Sequence, residues 1–256
     1  MDQRRVWYDW PLILAYHSVS DCRQDSLAVS ASDFAAQMAW LHQHGYQSVT
    51  LGQYAKESFK KGERIVIITF DDGYADNYHF AFPVLKQHGF VGTIFLVSDY
   101  VNTDHVYYWD TKKINLKTDT SAYQTLSWDQ VYEMLSYGME FGSHTCTHPE
   151  LPAVSLSEAE EEIARSRHDL QTRLGSEVVS FCYPRGKLNG DIIQLVEKAG
   201  YSCAVVTPTR GGIPLGLYTL RRAGIYYNKN PWVFKLKVSP WMRRFYERVR
   251  WISSKS

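Results

Sequence analysis

Short apolar runs alternate with amphipathic stretches along most of this chain, and glycines fall at the joints. Leu12 to Tyr16 reads as a first buried strand, with His17 at its C-terminal end. Ser32 is placed to cap a helix carrying Phe34, Met38 and Leu41 on one face, with Gly45 just past its end. Thr50 opens a shorter helix, and Ile65 to Phe70 is the next apolar run. A helix over roughly 77–88 follows, with Gly89 as its stop, and then a strand over 91–97. Ser127 opens a helix that Gly138 ends, and Ser157, with Glu160 three positions on, opens another to about Leu174. Residues 178–183 and 203–207 read as strands around a helix that Gly200 closes. Strands alternating with helices at short spacing imply a parallel sheet, open or closed into a barrel. Residues 99–126 break the rhythm with Tyr107-Tyr108-Trp109 among polar neighbours. That insertion reads as a loop near a site, its aromatics either stacking on a ligand or forming a satellite core.

A chain of 256 residues, 45% hydrophobic, fits one large α/β domain. The apolar run after Arg4 and Arg5 is too short for a signal-peptide core, and Asp9 interrupts it. No stretch approaches the length of a membrane span. Cys22, Cys146, Cys182 and Cys203 have no paired spacing, which fits a reducing compartment. The expectation is a soluble, cytoplasmic protein. The net charge of +1 hides an asymmetry: residues 229–256 hold eight Lys or Arg and one Glu. A basic tail on an acidic body suggests an anionic partner.

Two stretches carry the candidate chemistry. The first, Ile65 to Phe70, delivers Asp71, Asp72 and Gly73 to a sheet rim, where active sites collect. Adjacent residues on an extended chain point opposite ways, so the two carboxylates can hold different jobs. The second is Gly142-Ser143-His144-Thr145-Cys146-Thr147-His148-Pro149. Gly142 and Pro149 place its two imidazoles on a loop leaving a strand rather than on a helix. Two His and one Asp suffice for a catalytic zinc shell with an open position. Cys146 could join them, although a small loop residue is the simpler reading.

Thr69-Phe70-Asp71-Asp72-Gly73-Tyr74 followed by Ser143-His144-Thr145-x-x-His148-Pro149 closely resembles the polysaccharide deacetylases, the family-four carbohydrate esterases. The resemblance covers roughly residues 12–225 and implies an incomplete, distorted (β/α) barrel. It implies that Asp72, His144 and His148 bind one divalent metal, with zinc the default and cobalt, nickel or iron able to fit. It implies that Asp71 is the general base. Phe181-Cys182-Tyr183-Pro184-Arg185-Gly186 lines up with the third motif of the family, so the Arg185 backbone N–H would help hold an oxyanion, beside Tyr183 on the substrate side. Cys182 stands where the family usually carries an Arg that orients the base. Arg185 itself or Arg222 could replace it, Arg222 being favoured and also counted among the substrate-side residues. The late histidine that often serves as general acid is missing, the last being His168. Some branches place that histidine after an N-terminal strand, and Tyr16-His17-Ser18 matches them, so His17 takes the role.

The resemblance therefore implies a hydrolase that removes an N-acetyl group from an amino sugar. The lack of an export signal points to a glycan precursor rather than mature polymer, and the basic tail to a lipid-linked or nucleotide sugar. A glycan-binding protein without turnover and an amidase for a small non-sugar amide are the alternatives, and no nucleic acid is implied. Residues 1–228 form the expected catalytic domain and 229–256 a basic extension. In the extension Trp241, Met242, Phe245, Val249 and Ile252 share one helical face. Such a helix could lie on an anionic inner membrane surface or dock on the barrel.

Overall fold

The computed structural model describes residues 11–23, 25–57, 59, 63–111, 123–207, 216–227, 230, 232–239 and 241. The chain opens with β1 (Leu12–Tyr16), β2 (Ser18–Val19), β3 (Ala28–Val29), α1 (Ala31–Gln43), β4 (Gln47–Ser48), α2 (Leu51–Lys56) and β5 (Ile65–Phe70). It continues with α3 (Phe82–Gln87), β6 (Thr93–Leu96), α4 (Tyr108–Thr111), α5 (Trp128–Tyr137), β7 (Glu140–Ser143) and α6 (Leu156–Leu174). Then come β8 (Ser180–Cys182), α7 (Gly190–Lys198), β9 (Cys203–Val206), β10 (Leu220–Arg221), β11 (Ala223–Gly224) and α8 (Trp232–Val238).

Two helices start a little earlier than their sequence signals suggest. Ser30, not Ser32, caps α1 by accepting from the Asp33 N–H at 3.0 Å, and Ser155, not Ser157, caps α6 by accepting from the Glu158 N–H at 3.2 Å. In both cases the earlier serine's carbonyl already accepts the first helical bond, from Phe34 and from Ala159. The helix expected over 77–88 begins instead with a π turn, Asn77–Ala81, before α3. Such turns concentrate at functional sites.

The main sheet is parallel throughout and runs β10-β9-β8-β7-β6-β5-β1-β11, with β4 beside the start of β5. Its two ends meet in one short segment. Leu220 and Arg221 pair with β9, while Ala223 and Gly224 pair with β1. Residues 220–224 therefore close the sheet into a distorted barrel, with Arg222 at the seam.

Strand parity sorts the side chains. Leu12, Leu14, Tyr16, Val66, Ile68, Phe70, Phe181 and Tyr183 pack outward in the main core shared with the helices. Ile13, Ile67, Phe95, Cys182, Cys203, Val205 and Leu220 form a smaller core inside the barrel. The period of two then carries Thr69 and Asp71 from Ile67, and Arg222 from Leu220, to the same interior. Gly142 is required at this wall, since a Cβ there would lie 2.5 Å from Ser180 Oγ and 2.7 Å from the Phe95 ring.

At the C-terminal end, α8 buries Phe234 and Val238, and the Phe234 ring stands edge-on to Trp40 of α1 at 6.0 Å. The helical face expected over residues 241–252 lies outside the described residues, apart from Trp241.

Candidate active site and metal centre

The barrel's C-terminal rim gathers the groups that the two motifs supply. Register sets the first pair: Tyr16 of β1 lies opposite Phe70 of β5, so His17 and Asp71 leave their strands side by side. The Asp71 N–H donates to the Tyr16 carbonyl at 3.0 Å, and His17 Nε2 lies 3.8 Å from Asp71 Oδ2. The next residues fix His17 from below. Asn77, in the π turn, donates to the His17 carbonyl at 2.9 Å, and buried Asp76 accepts from Ser18 Oγ and the Val19 N–H.

Asp71 and Asp72 diverge because the strand ends, not because it alternates. Asp72 has φ of 70° and Gly73 of 63°, so the chain turns through the left-handed region directly after Asp71. Only glycine adopts that region freely, and an Asp there needs support. Tyr107 supplies it, its hydroxyl donating to the Asp72 carbonyl at 2.6 Å.

Asp72 faces the loop after β7. Its Oδ1 lies 3.6 Å from His144 Nε2 and 3.6 Å from His148 Nε2, and the three ligand atoms all lie within 4.8 Å of one another. Donors about 2 Å from a common tetrahedral centre stand roughly 3.4 Å apart, so the set fits a zinc-sized ion. The electrostatics agree. Burial, with the charge of Asp71 added, pushes the Asp72 carboxyl well above its usual range. Burial also pulls both imidazoles down, towards the neutral form that ligates. A buried carboxylate so disfavoured, facing two neutral imidazole nitrogens, is a set completed by a cation. His144 Nδ1 donates to the Cys182 carbonyl at 2.7 Å, which leaves Nε2 with its lone pair turned to Asp72.

A second set, Asp71, His144 and Cys182, is equally compact. It is already occupied by the protein. Arg222 Nη1 and Nη2 each donate to one oxygen of Asp71 at 2.6 Å, and Nη2 also lies 3.2 Å from Cys182 Sγ. Burial keeps the Cys182 thiol protonated. Cys146 is no ligand either: its Sγ points to the Glu162 carbonyl at 3.4 Å, and burial raises its pKa to about 12.

The Arg222 guanidinium, fully buried, binds Asp71 bidentately and also reaches Thr69 Oγ1 and Thr207 Oγ1. Burial alone would raise the Asp71 pKa; the Arg222 charge and its two hydrogen bonds overcome that and hold the carboxyl well below the usual range. Arg222 thus stands behind the carboxylate, and its buried guanidinium leaves no face for a substrate. Tyr183 is likewise displaced from the expected substrate side. It is an outward residue of the strand that ends in Cys182, buried against Phe181, with its hydroxyl bonded to the Tyr218 carbonyl at 3.0 Å.

Arg185 occupies the turn after β8 with φ of 54°, and its backbone N–H makes no hydrogen bond among the described residues. Its side chain lies 3.4 Å from Glu150 and over the rings of Tyr108 and Trp109 at 5.2 and 5.8 Å. The aromatics of the insertion split between the two readings. Tyr107 belongs to a satellite core with Tyr74 and Val97, Tyr108 is exposed, and Trp109 lies against the His148 ring at 4.7 Å. Trp109 is anchored in turn: its Nε1 donates to Tyr74 Oη, which donates to Asp110, which accepts from buried Arg23. The sequence flagged Trp109 with its aromatic neighbours but gave no signal for the anchor beneath it, since Asp110 meets Tyr74 and Arg23 across 36 and 87 residues.

Residues 58–204 match the sequence model of the polysaccharide deacetylase family. YxkH of Bacillus subtilis, named for the same family, is 33% identical over 83% of this chain and 70% of its own length. The poly-β-1,6-N-acetyl-D-glucosamine N-deacetylase of Staphylococcus epidermidis is 30% identical over 68% of this chain, but the match spans only 59% of that enzyme. The crystal structure of a polysaccharide deacetylase from Bacillus cereus superposes with a TM-score of 0.73 at 25% identity, covering 89% of this chain and 68% of that one.

Proposed function

This chain belongs to the polysaccharide deacetylase family, and from that premise we propose that it removes N-acetyl groups from an amino-sugar glycan, releasing acetate and a free amine. The observation that carries the reading is the pairing of two differently tuned carboxylates. Asp72 faces two neutral imidazoles, while Asp71, one residue away, is locked in its charged form by Arg222.

A divalent ion held by Asp72, His144 and His148 would polarise the amide carbonyl and lower the pKa of water. The remaining work falls to this chain. Asp71 takes the proton that the attacking water gives up as its oxygen bonds the carbonyl carbon. The Arg185 backbone N–H is the donor available to the resulting oxyanion. His17 is pulled to about 4 by burial, against the opposing charge of Asp71, so it is neutral at rest. It therefore has no spare proton until the Asp71–His17 pair receives the one from water, which it then delivers to the departing nitrogen as the C–N bond breaks. One proton enters the pair and one leaves. Zinc fits this ligand set, as do cobalt, nickel and iron.

The test is acetate release by purified protein from poly-β-1,6-N-acetylglucosamine, other N-acetylated glycans, lipid-linked amino sugars and nucleotide sugars. Release that needs added zinc or cobalt and stops on chelation is expected. Saturable glycan binding with no release from any member would overturn catalysis in favour of a binding role.

We further propose that the substrate is met at an anionic membrane surface. Trp232, Leu236 and Trp241 are 64%, 52% and 69% exposed, and Lys235 Nζ sits 4.4 Å over the Trp232 ring. Aromatic and lysine side chains side by side suit an interface, and the sequence beyond adds Arg243, Arg244, Arg248 and Arg250. A cleft of about 390 Å³ between α1 and α8, lined by Trp40, Phe234 and Tyr226 among others, offers apolar space for the chain of a lipid-linked sugar. Co-sedimentation with anionic vesicles, weakened several-fold in a Trp232→Ala/Trp241→Ala variant and by salt, is the expected result. Binding to neutral and anionic vesicles alike, or to neither, would remove this part of the reading.

A further inference from the structure

The loop from His144 to His148 is bent in a way its sequence does not favour. Thr145 has φ of 68° and His148 of 65°, both in the left-handed region and neither a glycine. Such residues persist only where the surroundings over-determine them. One carboxylate does much of this. Glu162, on α6 and 9% exposed, accepts from the Cys146 N–H at 2.8 Å, the Thr147 N–H at 2.9 Å and Thr147 Oγ1 at 2.6 Å. All three donors lie between the two histidines.

The opposite edge of the loop is held from the segment after β6. Ser98 and Asp99 donate their N–H groups to the carbonyls of Thr145 and Cys146 at 3.0 and 3.1 Å. Asp99 is tied back to α6 by two bonds from Arg165, each 2.9 Å. Helix α6 thus grips the loop directly through Glu162 and indirectly through Arg165 and Asp99. Inside the loop, the His148 N–H donates to Thr145 Oγ1 at 3.0 Å.

We infer that Glu162 is a positioning residue: by fixing the backbone between His144 and His148 it sets the spacing of the two imidazoles, and with it the affinity of the centre for a divalent cation. The inference rests on the reading of Asp72, His144 and His148 as ligands. A carboxylate is well suited to the task, because charge-assisted bonds to backbone N–H groups are short and strong. Groups that orient metal ligands typically change affinity by 10–100-fold when removed.

The test is titration of the full chain with cobalt(II), following the visible spectrum, with affinity fixed by chelator competition. Wild type should bind one equivalent and Asp72→Ala should not; if wild type fails to bind, the ligand reading falls and the inference with it. Glu162→Gln keeps all three bonds, since its carbonyl can accept from both amides and its amide can donate to Thr147 Oγ1, so its affinity should stay within about threefold of wild type. Glu162→Leu should bind roughly 10–100-fold more weakly with an altered spectrum. Thr147→Val removes one bond at an exposed position, is expected to fold, and should lose about three- to tenfold. Wild-type affinity and spectrum in Thr147→Val and in folded Glu162→Leu would overturn the inference; should Glu162→Leu not fold, Thr147→Val alone decides.

Discussion

Asp71→Asn is expected to bind its divalent metal as the wild type does and to release acetate about 10²–10⁴-fold more slowly. The expectation follows from where the two carboxylates face. Asp72 shares its oxygen with the two imidazoles, whereas both oxygens of Asp71 are turned to Arg222 and one lies 3.8 Å from His17. Removing the Asp71 charge therefore leaves the three ligands in place and takes away the one carboxylate that, among the described residues, lies beside the His17 ring. The loss should fall on kcat and leave KM close to its original value, because a base acts in the transition state. Metal stoichiometry and steady-state acetate release on the same preparation check it. Near-normal release with full metal content would show that another group takes the proton from water.

Much of this site was legible in the chain because local rules govern it. The apolar run of β5 ends in two acids, and the His144 loop is bracketed by Gly142 and Pro149, so rim placement followed from strand length and turn residues alone. Parity also carried information that the motif alignment did not. Counting in twos places Cys182 inward and Tyr183 outward, which is why Tyr183 packs in the core rather than on a substrate. The divergence of Asp71 from Asp72 looked like strand alternation and is instead a left-handed turn, a distinction that only the backbone reveals. What stayed hidden depends on contacts between distant residues. Glu162 follows Glu160 and Glu161 in a run that carries no motif, yet it turns inward to the loop before α6. Arg23 offers no pattern at all; its importance comes from Asp110, 87 residues on.

Arg222→Met should be strongly destabilising, and its pH dependence identifies the cause. The pair Arg222–Asp71 is buried on both sides, and breaking such a pair from one side costs about 3–5 kcal/mol, since the remaining charge is left in a poor solvent. In the wild type the folded pKa of Asp71 is depressed. Its contribution is therefore fully present above the unfolded value, about 3.9, and is lost as the pH falls towards the folded one. Without Arg222, burial becomes the dominant influence on Asp71 and favours the protonated form, while His17 and His144, the weaker influences, oppose it only in part. The sign then reverses: the variant should become less stable as the pH rises from about 4 to 7, where the unfolded chain releases its proton and the folded chain resists. Adding Asp71→Asn to Arg222→Met should recover stability at pH 7, although Asp71→Asn alone lowers it by setting an amide N–H against the guanidinium. Urea midpoints of the four proteins at pH 5 and pH 7 measure this coupling directly. If the two substitutions simply added, with no change of sign for Asp71→Asn, Arg222 would be a packing residue of the barrel seam and the tuning of Asp71 would have to come from elsewhere.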